Sequence, residues 1–189
     1  MTEETTRLRI RPFTWADAED YFLLESDPEL FKFEITSPKT REESDQFLTN
    51  LLRADFSPDI QNWREWAIEL KAEEKVIGFI CMSYHDLRRR MLEIGFRVQT
   101  AYQGMGYGSE ALRAVIEAVF RDTDTHRIFA CTDGLNLASQ KMMEKAGMQR
   151  EAHLRENVLI GEEYHDEVIY GVLRREVVKG DEQLRRLKG

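Results

Sequence analysis

The stretch Gln103-Gly104-Met105-Gly106-Tyr107-Gly108-Ser109 contains three of the eleven glycines of the chain, placed between an apolar run and a helical pattern. Glycine lets the backbone turn sharply and approach a ligand closely. The first amides of the following helix lack partners within the helix, and the helix dipole adds positive charge behind them. A strand, such a turn and a helix in succession therefore predict a site for a phosphate or pyrophosphate group.

The glycine spacing distinguishes this turn from the common nucleotide-binding loops. The glycines run G-x-G-x-G instead of G-x-G-x-x-G, and no Gly-Lys-Ser/Thr sequence closes the turn. The alternative interpretation is a turn whose glycines serve only tight packing.

The segments before the turn predict alternating helices and strands. LRIRPF (8–13) has the alternating pattern of a strand. Thr14 with Asp17, and Thr40 with Glu43, have the spacing of capping boxes, so each pair is expected to open a helix. An antiparallel meander is then expected from three strand-like runs, REWAIEL (64–70), VIGFICMSY (76–84) and MLEIGFRV (91–98).

The segments after the turn complete a mixed sheet. A helix is expected over about 106–121, and its crossover places RIFACT (127–132) parallel to MLEIGFRV. Asn136 can cap a fourth helix that ends at Gly147, and two final strands flank a hairpin loop at 161–163.

Composition predicts one domain. A chain of 189 residues with 42% hydrophobic residues can fill a single core, which we expect to span 1–178, with a charged tail at 179–189. Cys81 and Cys131 lie in apolar strand-like runs without the spacing of zinc ligands, so we expect buried thiols and no metal.

Charge and hydropathy limit the classes of molecule that this protein is expected to bind. The net charge of -8 argues against nucleic-acid binding and favours a cationic partner, although a solvated acidic surface is the commoner explanation. No apolar run approaches the roughly 20 residues that span a bilayer, so we expect no membrane association and a cytoplasmic protein. Monomer and homodimer both remain open.

The spacing Gln103-x-x-Gly106-x-Gly108 resembles the Q/R-x-x-G-x-G/A pyrophosphate loop of the GNAT N-acetyltransferases. The resemblance continues through Asn136-x-x-Ser139, and the segment IGEEYHDEVIYGVL (160–173) is similar to the last hairpin of the RimJ/RimL-like branch. It covers nearly the whole chain, from LRIRP to VLRRE. The resemblance implies a mixed α/β (α+β) fold with a splayed sheet of about seven strands and about four helices. It also implies that acetyl-CoA lies in the gap between MLEIGFRV and RIFACT.

The same resemblance assigns the cofactor contacts, without a metal. They fall at the end of the central strand, in the glycine turn and at the start of the fourth helix. The residues are Phe96, Arg97, Val98, Gln103, Gly104, Met105, Gly106, Tyr107, Gly108, Ser109, Asn136 and Ser139.

Acetyl transfer from a thioester to an amine requires a group that removes a proton from the acceptor. Glu93 is the predicted base, because it shares one face of its strand with Met91, Gly95 and Arg97, and this face is not uniformly apolar. Some GNAT enzymes place their base at a comparable point. The alternative is a structural glutamate that pairs with an arginine such as Arg97, or one that is solvated at the sheet edge.

The group that returns a proton to the CoA thiolate is less apparent. Many GNAT members carry a tyrosine before the Glu-Lys pair near the end of the fourth helix, where this chain has Met143. Ser139 can donate to the thiolate, hydrogen-bond CoA or bond the helix backbone. Asn136 can serve as helix cap, pantetheine ligand or both.

The acceptor is expected to be a primary amine, either a protein N-terminus or a small amine, with positive charge beside the reacting group. Glu34, Tyr164 and His165 are the predicted acceptor-binding residues, in or near the segments 31–39 and 161–163. For His165 the resemblance implies this role, and a structural role is the alternative. Two other functions remain open: a catalytically silent acyl-CoA-binding module of the same fold, and a loop that holds another phosphate ligand such as a nucleotide.

Overall fold

An eight-stranded mixed sheet organises the residues that the computed structural model describes, 1–53, 63–86, 88 and 90–177. In the order of the sheet, the neighbours are β1-β2-β3-β4-β5-β6-β8-β7. The strands are β1 (Glu3–Glu4), β2 (Leu8–Pro12), β3 (Arg64–Leu70), β4 (Lys75–Asp86), β5 (Met91–Val98), β6 (Arg127–Asp133), β7 (Gln149–Ile160) and β8 (Glu163–Leu173).

Within the described ranges, four α-helices pack against the sheet: α1 (Ala18–Ser26), α2 (Arg41–Arg53), α3 (Tyr107–Asp122) and α4 (Leu137–Lys145). Residues 174–177, directly after β8, are helical as well. Both predicted capping boxes form, at Thr14 with Asp17 and at Thr40 with Glu43. The first box opens a short 3-10 turn, Trp15–Asp17, and α1 follows it. The predicted mixed α/β architecture is confirmed, and the strand beyond the expected seven is the two-residue β1, too short for a sequence pattern.

The two faces of the sheet pack against different helices. On one face, α3 buries all the apolar residues predicted for it: Ala111, Leu112, Val115, Ile116, Val119 and Phe120. They pack against Leu92 and Ile94 of β5. On the other face, Tyr21 and Leu24 of α1 and Leu48 of α2 pack against Phe79 of β4. We call this second side of the sheet the Glu93 face.

The sheet splits between β5 and β6. These parallel strands pair only at Met91–Arg127, Leu92–Ile128 and Glu93–Phe129, although β5 continues to Val98 and β6 to Asp133. Beyond Glu93 the two strands diverge and leave a gap, which confirms the predicted splayed sheet.

The remaining expectations concern membrane helices, metal ligands, the two cysteines and the C-terminal tail. None of the described helices is both long and apolar enough to cross a bilayer. Within the described ranges, no cluster of three His, Cys, Asp or Glu side chains could hold a metal ion. Cys81 and Cys131 are free and partly buried. The predicted tail at 179–189 lies outside the described residues.

Candidate active site

The glycine turn lies at the end of β5 and leads directly into α3. Gly104 and Gly106 have φ values of 76° and 82°, in the left-handed region that residues with a Cβ rarely adopt. Gln103 anchors the start of the turn, because its Nε2 donates to the carbonyl of Val98 at 3.0 Å. Gly106 caps α3, so the free amides of the first helical turn follow it immediately. This geometry suits an anion.

The third glycine of the turn has a different role. A Cβ on Gly108 would collide with the Sδ of Met142 in α4, so this glycine lets α3 and α4 approach each other. The packing interpretation therefore applies to Gly108, whereas Gly104 and Gly106 provide the backbone conformation of the turn.

The main chain of β5 faces the gap at alternate residues. The amide of Gln99 donates to the carbonyl of Ile77 at 2.8 Å, so the hydrogen-bonding groups of Arg97 also point to β4. The main-chain groups of Phe96 and Val98 consequently point to the gap. Of the three predicted strand residues, Phe96 and Val98 present main-chain groups there, while the backbone of Arg97 is turned towards β4.

The helix α4 follows β6, the strand that borders the gap on the side opposite β5. The side chain of Asn136 caps this helix, because its Oδ1 accepts from the amide of Ser139 at 3.1 Å. Ser139 is nearly buried in the first turn. Met143, one turn further on, is fully buried and has no proton to donate.

Glu93 lies where the pairing of β5 with β6 ends, and 28% of its side chain is exposed. Burial raises its pKa above the usual range; His85, with Nδ1 3.9 Å from Oε2, opposes the shift, and Glu167 adds to it. Arg97 pairs instead with Glu25, so the alternative of a Glu93–Arg97 pair is wrong.

The last strand divides the predicted acceptor residues between two faces. His165 lies on the Glu93 face, where its Nδ1 is 2.5 Å from Oδ2 of the buried Asp133. Tyr164 lies on the opposite face and is 68% exposed. Asp166, on the same side as Tyr164, contacts His153 at 2.5 Å. Glu34 is exposed, with Oε1 3.7 Å from Nη2 of Arg97.

Comparison with known proteins identifies the family. Residues 7–149 match the family described as an acetyltransferase (GNAT) domain. The chain belongs to the GNAT acetyltransferases. An uncharacterized N-acetyltransferase of Bacillus subtilis, YnaD, is 31% identical over 172 residues, which cover 91% of this chain and 96% of that protein. A GNAT-family acetyltransferase from Bacillus anthracis has a similar crystal structure, with a TM-score of 0.83 and 28% identity over 93% of this chain and 99% of that chain.

A second similar structure contains CoA. Spermidine N-acetyltransferase from Vibrio cholerae, in complex with CoA and spermine, superposes with a TM-score of 0.78. It is 17% identical over 92% of this chain and 98% of that chain, so this likeness shows the fold alone. As a GNAT enzyme, the chain is an acetyl-CoA-dependent N-acetyltransferase, and acetyl-CoA is its cosubstrate.

A buried charged cluster on the Glu93 face was not predicted from the sequence. Arg97 bonds Glu25, and Lys39 bonds the other oxygen of Glu25 at 2.7 Å. The guanidinium of Arg97 also stacks on Phe31 at 4.2 Å and Phe79 at 5.2 Å. The side chain of Arg97, a predicted cofactor residue, thus ties β5 to α1 and to the segment 31–39.

Glu65 of β3 is a second feature that the sequence did not reveal. Its Oε2 accepts from the hydroxyl of Tyr21 at 3.0 Å. Burial, and then the nearby Glu25, raise the pKa of Glu65 to about 7. In the sequence, Glu65 could have been noticed because it shares a face of the strand REWAIEL with Ala67, which is buried. The residues that contact Glu65 come from distant segments, so the sequence did not reveal them.

Proposed function

We propose that this GNAT enzyme belongs to the RimJ/RimL-like branch and transfers acetyl from acetyl-CoA to a primary amine by direct attack in a ternary complex. The observation that carries the proposal is the end of the β5–β6 pairing at Glu93. The gap beyond this point is the proposed site of the thioester, and Glu93 belongs to the last residue pair before the gap.

The cofactor would be held mainly by main-chain groups. The amides that follow Gly106 bind the pyrophosphate, and Gly104 gives the turn its left-handed conformation. The main chain of Phe96 pairs with the pantetheine arm and helps to polarise the thioester carbonyl. Asn136 and Ser139 contact the cofactor from the α4 side of the gap.

Glu93 is the proposed base. An ammonium cannot attack a thioester, so a carboxylate must take its proton directly or through a water molecule. Glu93 is partly buried but still reaches solvent, and its raised pKa makes it a better proton acceptor than an ordinary surface carboxylate. The amine then attacks the carbonyl, and the nitrogen of the tetrahedral intermediate loses its second proton as the intermediate collapses and the CoA thiolate leaves. Ser139 is the proposed donor of the proton to that thiolate, and the proton released by the nitrogen replaces the one that Ser139 donates.

Direct attack is favoured over a cysteine-bound intermediate. Cys131 lies on the Glu93 face, but burial, followed by Glu167 and Glu93, raises its pKa to about 12. The thiolate is the nucleophilic form of cysteine, so this thiol is a poor acyl acceptor at neutral pH.

A cationic acceptor is supported by the carboxylates of the Glu93 face. Glu93 and Glu167 lie close enough for each to affect the ionisation of Cys131, and both oppose the burial of a further negative charge. An acceptor with a second positive group would offset this repulsion. Protein N-termini beside basic residues and small polyamines both meet this description, with Glu34 and His165 as the proposed contacts. The cytoplasmic location and the single domain over 1–178 stay predictions.

The test is a thiol-release screen of acetyl-CoA against peptides and small amines, with products identified by mass. An acetylated amine formed with one equivalent of CoA is the expected result. Binding of acetyl-CoA without release of thiol for any acceptor would favour the silent binding module, which the buried Met143 alone supports. Binding of ATP in preference to acetyl-CoA would overturn the assignment of the loop.

A further inference from the structure

An ion pair joins the segment before β2 to the first turn of α3. The Nε of Arg7 donates to Oε2 of Glu110 at 2.7 Å, and the Nη2 lies 2.6 Å from the same oxygen. The other oxygen, Oε1, accepts from the amide of Arg7 at 3.1 Å and from the hydroxyl of Thr5 at 2.5 Å. The carboxylate is therefore fixed by four donors from the N-terminal segment.

The same arginine contacts the glycine turn at consecutive residues. Its Nη1 donates to the carbonyl of Met105 at 3.1 Å. Its guanidinium carbon lies 4.4 Å from the ring centroid of Tyr107. A Cβ added to Gly106, between these two residues, would lie 3.5 Å from Nη2. Arg7 thus bridges the turn that leads into α3.

The negative charge of Glu110 lies near the proposed pyrophosphate site, and Arg7 neutralises it. The amide of Glu110 bonds the carbonyl of Gly106 at 3.1 Å, so this carboxylate belongs to the first turn of the helix that would receive a pyrophosphate. A carboxylate is stabilised at a helix N-terminus, but it repels a second anion at the same place. Arg7 neutralises Glu110. It also binds the carbonyl of Met105, which would otherwise be free to turn its negative end towards the anion.

We propose that Arg7 is a positioning residue of the acetyl-CoA site: it pairs with Glu110 and braces Met105, so that the turn accepts the pyrophosphate. The proposal rests on the proposed function, in which this turn holds the pyrophosphate. Arg7 acts through the turn and on the half of the cofactor that carries the phosphates. It has no effect on the thioester end.

The test compares Arg7→Met with Arg9→Met, on two acetyl donors. Arg9 is the matched control, because its side chain is 42% exposed, as is that of Arg7, and it pairs with Glu4 and Glu69, away from the turn. The donors are acetyl-CoA and acetyl-pantetheine, which has the same thioester but no phosphate. For Arg7→Met we expect kcat/KM with acetyl-CoA to fall about tenfold, the factor that one charge-assisted hydrogen bond supplies, through KM. The kcat/KM with acetyl-pantetheine should stay within about twofold of the wild type.

A double variant tests the charge argument. If Arg7 mainly offsets the charge of Glu110, then Arg7→Met with Glu110→Gln should bind acetyl-CoA more tightly than Arg7→Met alone. A purely structural pair predicts that the double variant binds no better than the single one. Arg7→Lys keeps the charge but loses the paired geometry, so it should fall between wild type and Arg7→Met, and it replaces Arg7→Met if that variant does not fold.

The outcomes separate this proposal from the proposed function. The third variant in this comparison is Gly106→Val, which changes the turn itself. If Gly106→Val loses affinity for acetyl-CoA but Arg7→Met loses the same kcat/KM on both donors, Arg7 has no role in positioning the turn. The same conclusion follows if Arg7→Met and Arg9→Met have equal kcat/KM values. If the ratio of kcat/KM for acetyl-CoA to kcat/KM for acetyl-pantetheine is the same in wild type and Gly106→Val, the turn does not hold the pyrophosphate. The loop assignment itself is then wrong.

Discussion

The glycine turn and the Glu93 face both adjoin β5, but they are built from different kinds of groups. The turn is formed by seven consecutive residues, and its main features are two left-handed glycines and main-chain amides. The Glu93 face is formed by side chains from separate elements, including Glu25 of α1, Glu65 of β3 and Arg97 of β5, in buried charged contacts. One region depends on backbone conformation and the other on the placement of charge.

This difference fixes what each region tolerates. A main-chain site is insensitive to most side-chain changes, but it fails when a residue cannot adopt its φ value. A buried charged site depends on each partner, because removal of one group leaves another charge uncompensated. The following predictions test this contrast, in order of decreasing effect.

The largest effect is expected for Glu93→Gln. If Glu93 takes the acceptor proton, kcat should fall by roughly 10²- to 10⁴-fold while the affinity for acetyl-CoA stays nearly unchanged. The loss should shrink in alkaline buffer, where more free amine is present. Because burial raises the pKa of Glu93, the wild-type rate should rise with pH above the usual carboxyl range. The measurement is a pH–rate profile beside a thermal melt.

Glu167→Gln is the matched control for this variant, since Glu167 is a carboxylate on the same face. We expect it to keep kcat within several-fold of the wild type. A Glu93→Gln enzyme with near wild-type kcat at neutral pH would assign the base to another residue or to water.

A smaller but still clear effect is expected for Gly106→Val, which should weaken acetyl-CoA binding by about tenfold or more, because a branched side chain cannot adopt the turn and blocks the pyrophosphate. Gly147→Val is the control: Gly147 also has a positive φ, of 96°, and open space around it, but it follows α4. Both variants should lose stability, and only Gly106→Val should lose affinity in calorimetry. Equal affinities would remove the turn from the cofactor site.

An effect on stability of about 3 kcal/mol is expected for Glu65→Gln, and it depends on pH. The pKa of Glu65 is about 7 in the folded state, compared with 4.5 as the ordinary value. The folded state therefore keeps a proton that the unfolded state has lost, and stability declines as the pH rises between these values. Glutamine removes this decline, so the variant should gain stability relative to wild type at about pH 8 and not at about pH 4.

Urea unfolding at both pH values measures this difference. Glu69→Gln is the control on the same strand and face, since Glu69 is buried but pairs with Arg9 and Arg11. That variant should lose stability at neutral pH, because its arginines lose their partner. The same loss in Glu65→Gln would contradict the description of Glu65 as a buried carboxyl whose pKa is raised.

The smallest effect concerns acceptor choice. A diamine should react faster than a monoamine of equal length, by several-fold, and the ratio should fall as salt screens the attraction. Glu167→Gln should reduce the ratio. A ratio that is insensitive to both salt and this substitution would exclude charge recognition on the Glu93 face.

The sequence predicted the turn because its determinants are contiguous. The glycines that the turn requires, including Gly104 and Gly106 with their positive φ values, all lie in one short stretch before an amphipathic helix. That this turn holds a pyrophosphate stays a prediction from the spacing Gln103-x-x-Gly106-x-Gly108. The capping boxes and the buried stripe of α3 were predictable for the same reason. The role of Gly108 was not, because it depends on Met142, which a helix and a strand separate from it.

The charged cluster could not be predicted, because its members are far apart in the sequence. Alternation along β5 placed Arg97 beside Glu93, and a pair between them was a reasonable alternative. The fold brings Glu25 to Arg97 across 72 positions, and Glu25 binds it instead. The raised pKa of Glu65 likewise depends on burial beneath α1, which no local pattern contains.

The gap between β5 and β6 also has a consequence for isotope exchange. Within one interior strand, the amides of Gly95 and Arg97 bind β4, whereas those of Phe96 and Val98 face the gap. Exchange with deuterium should therefore alternate between slow and fast with a period of two residues, although all four amides lie at the centre of an eight-stranded sheet. A pantetheine arm that pairs with Phe96 would slow the exchange of that amide, so β5 itself reports whether the gap is occupied.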